Sequence, residues 1–462
     1  MAISLASIGV PTGLTNIIQQ NTLQRQFQDA LFPLIMFRAE AVPETWVTNL
    51  GERTIFTRTG LMPVNIVPLA PGTDPQPSGY GTEQWAAEAR QFGGSIPTHM
   101  PSDYVALASL FLTNTKTLGL NAGQTMNRLA RNRLYSSYLE GEAMARAAVG
   151  VGVLQIQVST ISGFTERILN GTIVPVSAAA PIPVTFTGTE PANFVVAATP
   201  SDPTKPLGNG TITLATATTI GVAIREGIKT SFRSLRLRVG AGATVDALTS
   251  ASIITLQDVI GAVTRLRDQN VPTHPDGRYH VHLTPQAEQE LFADNAWQRL
   301  HQSLPDSLAY RDYVVNDQVG CYFYRNTETP SVNTISATQA DPGGAGGALC
   351  APEIGGEVTN ASGVNIRRVI VTGGAALYEK YIDESKYITE AGVLGKIGNF
   401  SIVNGGLAVM TDRIRFILKA PQDDLQQVVK QVWSWSGDFP VPSDALSGDA
   451  ARYKRAVVIE HA

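Results

Sequence analysis

Five prolines interrupt the stretch LMPVNIVPLAPGTDPQPSGYG, at positions 63, 68, 71, 75 and 77. Each proline lacks a backbone N–H and has a fixed φ, so the stretch cannot form a helix or a central strand. Thr54 to Arg58 before it has the composition of a strand, and residues 84–96 return after it. The pattern predicts a long two-stranded excursion with an irregular tip. Such a ribbon is barely stable alone, so we expect a neighbour to stabilise it.

The composition is that of a folded protein that lacks a strong charge bias. The chain has 462 residues, of which 43% are hydrophobic and 16% charged, and this length suggests about three domains or one large core with insertions. The net charge of -4 argues against binding to nucleic acid phosphates as the main activity. Cys321 and Cys350 are too few for a disulfide framework and form no C-x-x-C pair, so a reducing cytoplasm is the expected compartment.

Signals for secretion, membrane insertion and common enzyme classes are not found in the sequence. The N-terminal residues MAISLASIGVPTG lack a positive leader, and no segment approaches the ~20 uninterrupted apolar residues of a membrane span. No H-E-x-x-H, G-x-S-x-G, P-loop or G-x-G-x-x-G motif is present. The absence of these motifs weakens an enzyme interpretation without excluding one. Our expectation is a protein with no enzyme activity, no catalytic, cofactor-binding or metal-binding residues, no cofactor and no membrane partner.

Two segments have helical periodicity. Residues 15–32 carry apolar side chains mostly three to five positions apart and end at Pro33, which predicts an amphipathic helix. Residues 121–149 carry the longest helical pattern, and the opposite face is rich in Arg and Glu. This second helix is predicted to lie on a surface or at a contact, because one of its sides is polar.

Residues 151–252 are rich in Thr, Val, Ala, Gly and Pro, and between Leu169 and Ile224 only Glu190, Asp202 and Lys205 are charged. Short β-branched runs separated by Gly and Pro predict an all-β module inserted between two helices. Low-complexity disorder is the alternative, and the Val and Ile content favours the β interpretation.

An α+β unit follows the β-rich segment. Thr255 to Asp258 resembles a capping box, residues 278–283 alternate as a strand, and Thr284-Pro285 has the pattern of a helix start. Residues 321–325 are predicted to form another strand, and DPGGAGGA at 341–348 is predicted to be a flexible connection. Alternation around Ile414 to Leu418 indicates that the final third is β again.

His280 and His282 are the most evident candidates for chemistry. Alternate residues of a strand share a face, so two imidazoles there could hold a metal. The sequence offers no clear third ligand, although His274 is close. A solvated strand face, with the intervening residues turned inward, is the favoured interpretation.

The densest basic run is formed by Arg225, Lys229, Arg233, Arg236 and Arg238. A nucleic-acid groove is one explanation. Ion pairs with acidic groups of the same or a neighbouring subunit are favoured, because the overall charge is negative.

Two adjacent carboxylates and two nearby tryptophans are the last candidates for catalytic or ligand-binding residues. Asp423 and Asp424 are neighbours and would point opposite ways on a strand, which argues against a catalytic pair. Trp433 and Trp435 would share one strand face, where a core position or a subunit contact is the favoured role.

The order of these parts resembles a major capsid protein of tailed double-stranded DNA bacteriophages with the Hong Kong 97-type fold. The stretches that carry the resemblance are GERTIFTRTGL at 51–61, NAGQTMNRLARNRLYSSYLEG at 121–141, HPDGRYHVHLTPQAEQELFADNAWQ at 274–298, CYFYRNTETP after Gly320, and RIRFILKAPQDDLQQVVKQVWSW at 413–435. The last two are similar to the coat proteins of the N-four-like family of short-tailed phages. The resemblance covers most of the chain outside 151–252.

The resemblance implies an α+β capsid fold whose parts follow one another along the chain. These parts are an N-terminal arm reaching to a neighbour (1–45), an extended loop (46–104), a peripheral domain with the spine helix (105–150), an inserted β-rich domain (151–252), an axial domain (253–400), and return strands of the peripheral domain with the C-terminus (401–462). The block 151–252 is longer than the plain family pattern.

The resemblance also implies a function and a set of partners. Pentamers and hexamers of the chain would assemble into an icosahedral shell in the bacterial host cytoplasm and form the virion capsid. The implied partners are further copies of the chain, scaffolding, portal and decoration proteins, and packaged DNA bound non-specifically.

Three other classes of function are weighed against the capsid interpretation. An encapsulin-like compartment shares the fold, and its cargo would distinguish it. A metal-dependent hydrolase that uses His280 and His282 predicts stoichiometric tightly bound metal. A carbohydrate-binding protein requires residues 151–252 to bind glycans alone, and their few aromatic residues argue against it.

Overall fold

The chain divides into two units, each of which gathers distant parts of the sequence. Unit 1 comprises 1–54, 86–131 and 377–440, and unit 2 comprises 55–85, 132–376 and 441–462. The computed structural model describes residues 22–31, 36–47, 51–59, 82–105, 110–169, 172–203, 208–231, 236–302, 317–326, 333–334, 358–360, 362–384, 395–397, 400–403, 406–419, 427–442 and 454–462, with isolated positions in 62–80 and 421–425. The predicted connection at 341–348 lies outside these residues.

Unit 1 is built on one sheet of eight strands. The strands are β1 (Ala41–Thr45), β4 (Arg90–His99), β20 (Leu377–Tyr381), β21 (Gly395–Ile397), β22 (Phe400–Val403), β23 (Gly406–Thr411), β24 (Ile414–Lys419) and β25 (Val428–Asp438). Their order is β1-β20-β25-β24-β23-β22-β21, with β4 also paired to β25. β1 runs parallel to β20. Every other pair of neighbouring strands in this order is antiparallel, and so is the pair of β4 with β25. The β character predicted for the final third is confirmed in these strands.

The first described helix, α1 (Thr22–Leu31), packs within unit 1. Phe27 is fully buried, and its ring stacks on Phe416 with centroids 5.0 Å apart. Residues 37–40 form a 3-10 helix, and β1 pairs with β20. The described part of 1–45 therefore packs on unit 1 within the single chain, and the expectation that this segment reaches to a neighbour stays a prediction. The predicted helical residues before Thr22 lie outside the described residues.

Gly119 lies in the long helix Leu110–Tyr138 and allows α1 to approach that helix closely. A Cβ atom at this position would lie 2.7 Å from the backbone oxygen of Phe27 and 2.9 Å from the Cβ of Ala30. We expect Gly119→Ala to displace α1 and to destabilise unit 1 by about 1–3 kcal/mol, because overpacking forces backbone shifts. Urea denaturation would measure the loss. Gly261→Ala is the control, since open space surrounds Gly261, and an equal loss in both variants would contradict this account.

The predicted ribbon is confirmed. β2 (Arg53–Thr59) and β3 (Thr82–Glu88) form a two-stranded sheet. Midway along the ribbon the rings of Phe56 and Trp85 stack with centroids 5.4 Å apart and planes 4° apart. The described positions between 62 and 80 belong to no helix or strand, as the prolines require.

The remaining helices of the described chain are α2 (Met100–Val105), α3 (Leu110–Tyr138), α4 (Leu256–Asp268), α5 (Pro285–Ala293) and α6 (Asn295–Gln302). The longest, α3, differs from the predicted 121–149. The helix begins earlier, at Leu110, and ends at Tyr138. The predicted end at 149 is wrong, because Gly141 adopts a φ of 77° and Glu142–Met144 forms a strand. The expected polar face is also wrong at Arg131, which is 3% exposed.

Unit 2 contains a small closed barrel of six strands. These strands are β5 (Glu142–Met144), β6 (Gln155–Val158), β9 (Ile182–Phe186), β10 (Asn193–Pro200), β11 (Gly210–Leu214) and β12 (Gly227–Thr230). Their order is β5-β12-β9-β10-β11-β6, and the bridge between Ala145 and Val158 joins the two edges. A hairpin, β7 (Glu166–Leu169) with β8 (Thr172–Pro175), follows β6. The β character predicted for 151–252 is confirmed, and the barrel begins earlier, at Glu142.

A separate core of unit 2 lies between helices and a mixed sheet. The strands are β13 (Arg236–Arg238), β14 (Tyr279–Leu283), β15 (Asp317–Gln318), β16 (Cys321–Arg325), β17 (Asn333–Thr334), β18 (Val358–Thr359), β19 (Asn365–Thr372) and β26 (Ala456–His461). Their main order is β13-β26-β19-β14-β16-β15. Helices α4 and α5 pack their buried Leu and Val side chains on this sheet with Trp297. The α+β unit predicted here is confirmed.

Candidate assembly surfaces

The ribbon tip exposes apolar side chains that have little charge around them. Val64 is 82% exposed and Ile66 is 85% exposed. Asp74 is the only charged residue in the sequence from 60 to 81. Full burial of such a side chain contributes about 1.5–3 kcal/mol. Covering the tip with another surface therefore lowers the free energy of the protein in water.

The predicted basic run is divided between ion pairs inside unit 2. Arg236 and Arg238 lie on β13, whose parallel partner β26 carries Glu460. Arg238 contacts Glu460 at 2.7 Å and Glu142 at 2.6 Å, and Arg368 on β19 contacts Glu460 at 3.0 Å. This buried group of Glu142, Arg236, Arg238, Arg368 and Glu460 is called the arginine–glutamate cluster below.

The electrostatics of the arginine–glutamate cluster favour ionised Glu460. Burial alone would raise the pKa of Glu460, but the guanidinium groups of Arg238, Arg368 and Arg236 outweigh burial and lower it to about 2. Arg225 is also paired, with Asp246 at 2.7 Å. The favoured interpretation of the basic run, ion pairs with acidic groups of the same or a neighbouring subunit, is confirmed for Arg225, Arg236 and Arg238, whose partners lie in the same subunit. Arg233 lies outside the described residues.

The histidine pair is buried, which overturns the expectation of a solvated strand face. His280 is 9% exposed and His282 is 0% exposed. The two side chains share the face on which Tyr324 lies, with ring centroids 5.0 Å and 5.2 Å away. All five residues of β14 are buried, so both faces of this strand are covered.

His280 and His282 have different surroundings. Nε2 of His280 lies 2.9 Å from Asp276 Oδ2, and the ring stacks on His274 with centroids 3.9 Å apart. A catalytic metal needs a coordination position that water and substrate reach, and fully buried His282 is a core residue. This geometry gives the hydrolase hypothesis no support.

The carboxylate and tryptophan candidates have structural roles. Asp423 accepts hydrogen bonds from the N–H groups of Gln427 and Val428, and these lower the pKa of its carboxyl. Trp433 and Trp435 are each 1% exposed in unit 1. The expected core position of the tryptophans is confirmed.

A second buried ionic group, in unit 1, was missed by sequence reasoning. Glu379 lies in the middle of β20 and contacts Arg38 and Arg413, each at 2.7 Å, and Arg38 also contacts Asp412 at 2.9 Å. Arg38 follows the apolar run PLIMF. An arginine next to such an apolar run indicates that its side chain is buried and paired with a carboxylate. The sequence pattern does not identify Glu379 as that carboxylate.

The fold of this chain is similar to that of phage capsid chains. A chain of the Cyanophage Pam1 capsid asymmetric unit matches with a TM-score of 0.51 and 9% identity, over 94% of this chain and 92% of that chain. The capsid of Ralstonia phage GP4 matches at 13% identity, over 92% and 88%, with a TM-score of 0.45. The capsid of Cyanophage P-SCSP1u matches at 10% identity, over 93% and 88%, with a TM-score of 0.47.

The Pam1 match confirms the expected fold class. Helices and many strands form the α+β arrangement implied by the Hong Kong 97-type resemblance, and the likeness extends over nearly the whole of both chains. At such low identity the likeness concerns fold. No family model matches the sequence, and no curated protein matches it either. Within the part of the chain that the structure describes, no helix combines the length and apolarity needed to cross a membrane.

Proposed function

We propose that this chain is the major capsid protein of a tailed double-stranded DNA bacteriophage. The observation that carries the proposal is the fold match to the Pam1 capsid chain over 94% of this chain. Under this proposal the protein has a structural, non-enzymatic role. It assembles in the bacterial host cytoplasm, through pentamers and hexamers, into the icosahedral shell of the virion.

The exposed ribbon supports this function physically. A two-stranded ribbon with apolar residues at its tip is stable when another surface covers it. Heterologous contacts that close into rings of five and six subunits generate a shell. We assign residues 46–104 to the extended loop of the capsid fold and place its tip on an adjacent subunit.

The other parts of the chain are assigned in the same proposal. Residues 105–141 supply the spine of the peripheral domain, 142–252 the inserted β domain, 253–400 the axial domain, and 401–462 the return strands and C-terminus. Residues 1–45 are assigned to the N-terminal arm, which contacts a neighbouring subunit. Scaffolding, portal and decoration proteins are the expected partners besides the chain itself.

Packaged DNA is the remaining partner in the proposal. The described arginines of the basic run are paired with carboxylates inside the subunit, and the net charge is -4. Such a wall holds phosphates weakly and non-specifically, which suits a container that must release its DNA.

Electron microscopy of the purified recombinant protein tests the function directly. We expect closed, uniform particles, or free rings of five and six subunits, in negative stain, with matching masses by light scattering. The measurement is repeated with the phage's own scaffolding protein present, because assembly of a shell can depend on it. A monodisperse monomer or dimer under both conditions would contradict the proposal.

A further inference from the structure

The arginine–glutamate cluster lies on the face of the mixed sheet that points away from helices α4 and α5. In β13, Leu237 packs against the core under these helices, so Arg236 and Arg238 on either side of it point to the opposite face. Glu460 of β26 pairs with Arg238 in the register of the parallel strands. Glu142, in the first strand of the barrel, joins the cluster through its contact with Arg238. The cluster therefore lies at the junction between the mixed sheet and the barrel.

Positive charge exceeds negative charge at this junction. Among the described residues the cluster consists of three guanidinium groups and two carboxylates, and each side chain is 9% exposed or less. Lys229, which is the cross-strand neighbour of Glu142 in the barrel, is also positive. Buried charges in proteins are normally paired, because an uncompensated buried charge is strongly destabilising. One guanidinium of the cluster therefore requires a further negative charge.

Arg236 is the guanidinium whose charge is least compensated. Arg238 and Arg368 contact carboxylate oxygens at 2.6 Å and 3.0 Å. Arg236 lies 4.0 Å from Glu142 and 3.7 Å from Glu460, and both distances are longer than a hydrogen bond. Nη2 of Arg236 donates to a backbone carbonyl, whereas Nε of Arg236 has no hydrogen-bond partner within the described part of the chain. A buried donor on a charged group is thus left without an acceptor.

The electrostatics of Arg236 agree with this geometry. Burial lowers the pKa of the Arg236 guanidinium, and the attraction of Glu142 and Glu460 does not offset the effect of burial. A lowered arginine pKa means that the surrounding protein disfavours the charged form of the side chain. Arginine nevertheless keeps its proton in proteins, so a nearby anion would relieve the energetic cost of this buried charge.

We propose that Arg236 binds a small inorganic anion at the junction between the mixed sheet and the barrel. Chloride and inorganic phosphate belong to this class, because each carries the missing negative charge and accepts hydrogen bonds from guanidinium N–H groups. The bound anion stabilises unit 2 in the free subunit. The inference therefore goes beyond the proposed function and does not depend on assembly.

Urea denaturation of the whole chain at constant ionic strength tests the site. Chloride is raised from about 5 mM to about 500 mM while bulky gluconate is lowered to match, and a second series uses phosphate. A ligand that binds only the folded state stabilises it by mass action, so a site with a Kd of about 50 mM raises the folding equilibrium constant about tenfold over this range.

Arg236→Gln is the decisive variant, because it removes the surplus charge. We expect its stability to be at least that of the parent at low anion concentration and to be independent of the anion. Arg325→Gln is the matched control in the same unit, since Arg325 is 46% exposed and pairs with Glu288. This control should keep the tenfold response of the parent.

A second variant keeps the test decisive if Arg236→Gln does not fold. Val458 is the cross-strand neighbour of Arg236, so Val458→Asp places a carboxylate beside the guanidinium. This internal charge replaces the anion, and we expect the response to chloride and phosphate to disappear. The line width of the chloride NMR signal gives a readout other than stability, because bound chloride broadens the signal and competing phosphate narrows it again.

The outcomes separate a specific site from a general effect of salt. Equal anion responses in the parent and in Arg236→Gln would overturn the site, and so would a parent whose stability changes with neither anion. A response to chloride alone or to phosphate alone, lost in Arg236→Gln, would support the site and identify its ligand. All these measurements use free subunits, so a failure to form particles counts against the capsid function and leaves this inference intact.

Discussion

Deletion of residues 60–80 is expected to leave a folded subunit that no longer forms closed shells. The deleted tip contains Val64 and Ile66, which are more than 80% exposed, and no described helix or strand. The folded units therefore lose little, whereas the proposed contact with an adjacent subunit is lost. Negative-stain electron microscopy and light scattering of parent and deletion, at equal concentration, measure the difference.

Point substitutions sharpen the same test. Val64→Asn with Ile66→Asn keeps the length of the loop and removes its apolar character, so we expect the yield of particles to fall with no change in the melting of free subunits. Leu425→Asn is the matched control, because Leu425 is 75% exposed and lies outside the ribbon. If the variant that lacks residues 60–80 forms normal particles, the tip does not bridge adjacent subunits as we propose.

Glu460→Gln is expected to destabilise unit 2 by about 3–5 kcal/mol. The substitution leaves the guanidinium groups of Arg238 and Arg368 buried with one carboxylate fewer, and an uncompensated buried charge is costly. Urea denaturation followed by circular dichroism measures the loss. Glu88→Gln is the control, because its ion pair with Arg90 is more than half exposed and such pairs contribute little. Equal losses in the two variants would contradict the assignment.

The arginine–glutamate cluster also predicts how stability depends on pH. The pKa of Glu460 falls from 4.5 to about 2 on folding. A lowered carboxyl pKa contributes stability that is fully present above the unfolded value and lost as the pH falls through the folded value. Unit 2 should therefore lose about 3 kcal/mol between pH 4.5 and pH 2. Denaturation of Glu460→Gln over the same range should show a much smaller slope, and identical slopes would disprove this role.

Local signals in the sequence predicted several elements closely. Thr255 begins α4, where its N–H donates to Asp258 Oδ2 at 2.9 Å, and Thr284 caps α5 by accepting from the N–H of Ala287 at 3.1 Å. The prolines at 63–77 excluded regular structure from the ribbon tip. These predictions succeeded because caps and prolines act through neighbours in the chain.

Long-range pairing decided what local signals could not. The alanine-rich residues 142–149 suit a helix, yet Glu142–Met144 pairs with Gly227–Lys229, which lies far along the chain. His280 alternates as if on a solvated face, yet every residue of β14 is buried, because side chains from distant segments cover both faces of the strand. Glu379 and Glu460 become buried partners of arginine only when their strands are placed in their sheets.

The sequence by itself determined the order of the elements, the ribbon with its irregular tip, the β character of the insertion and the resemblance to capsid proteins. Periodicity, caps and prolines are properties of neighbouring residues, so they are visible in one dimension. Tertiary structure alone decided the closure of the barrel and the partners of the buried charges. Each of these depends on contacts between distant segments, whose free energy no local pattern records.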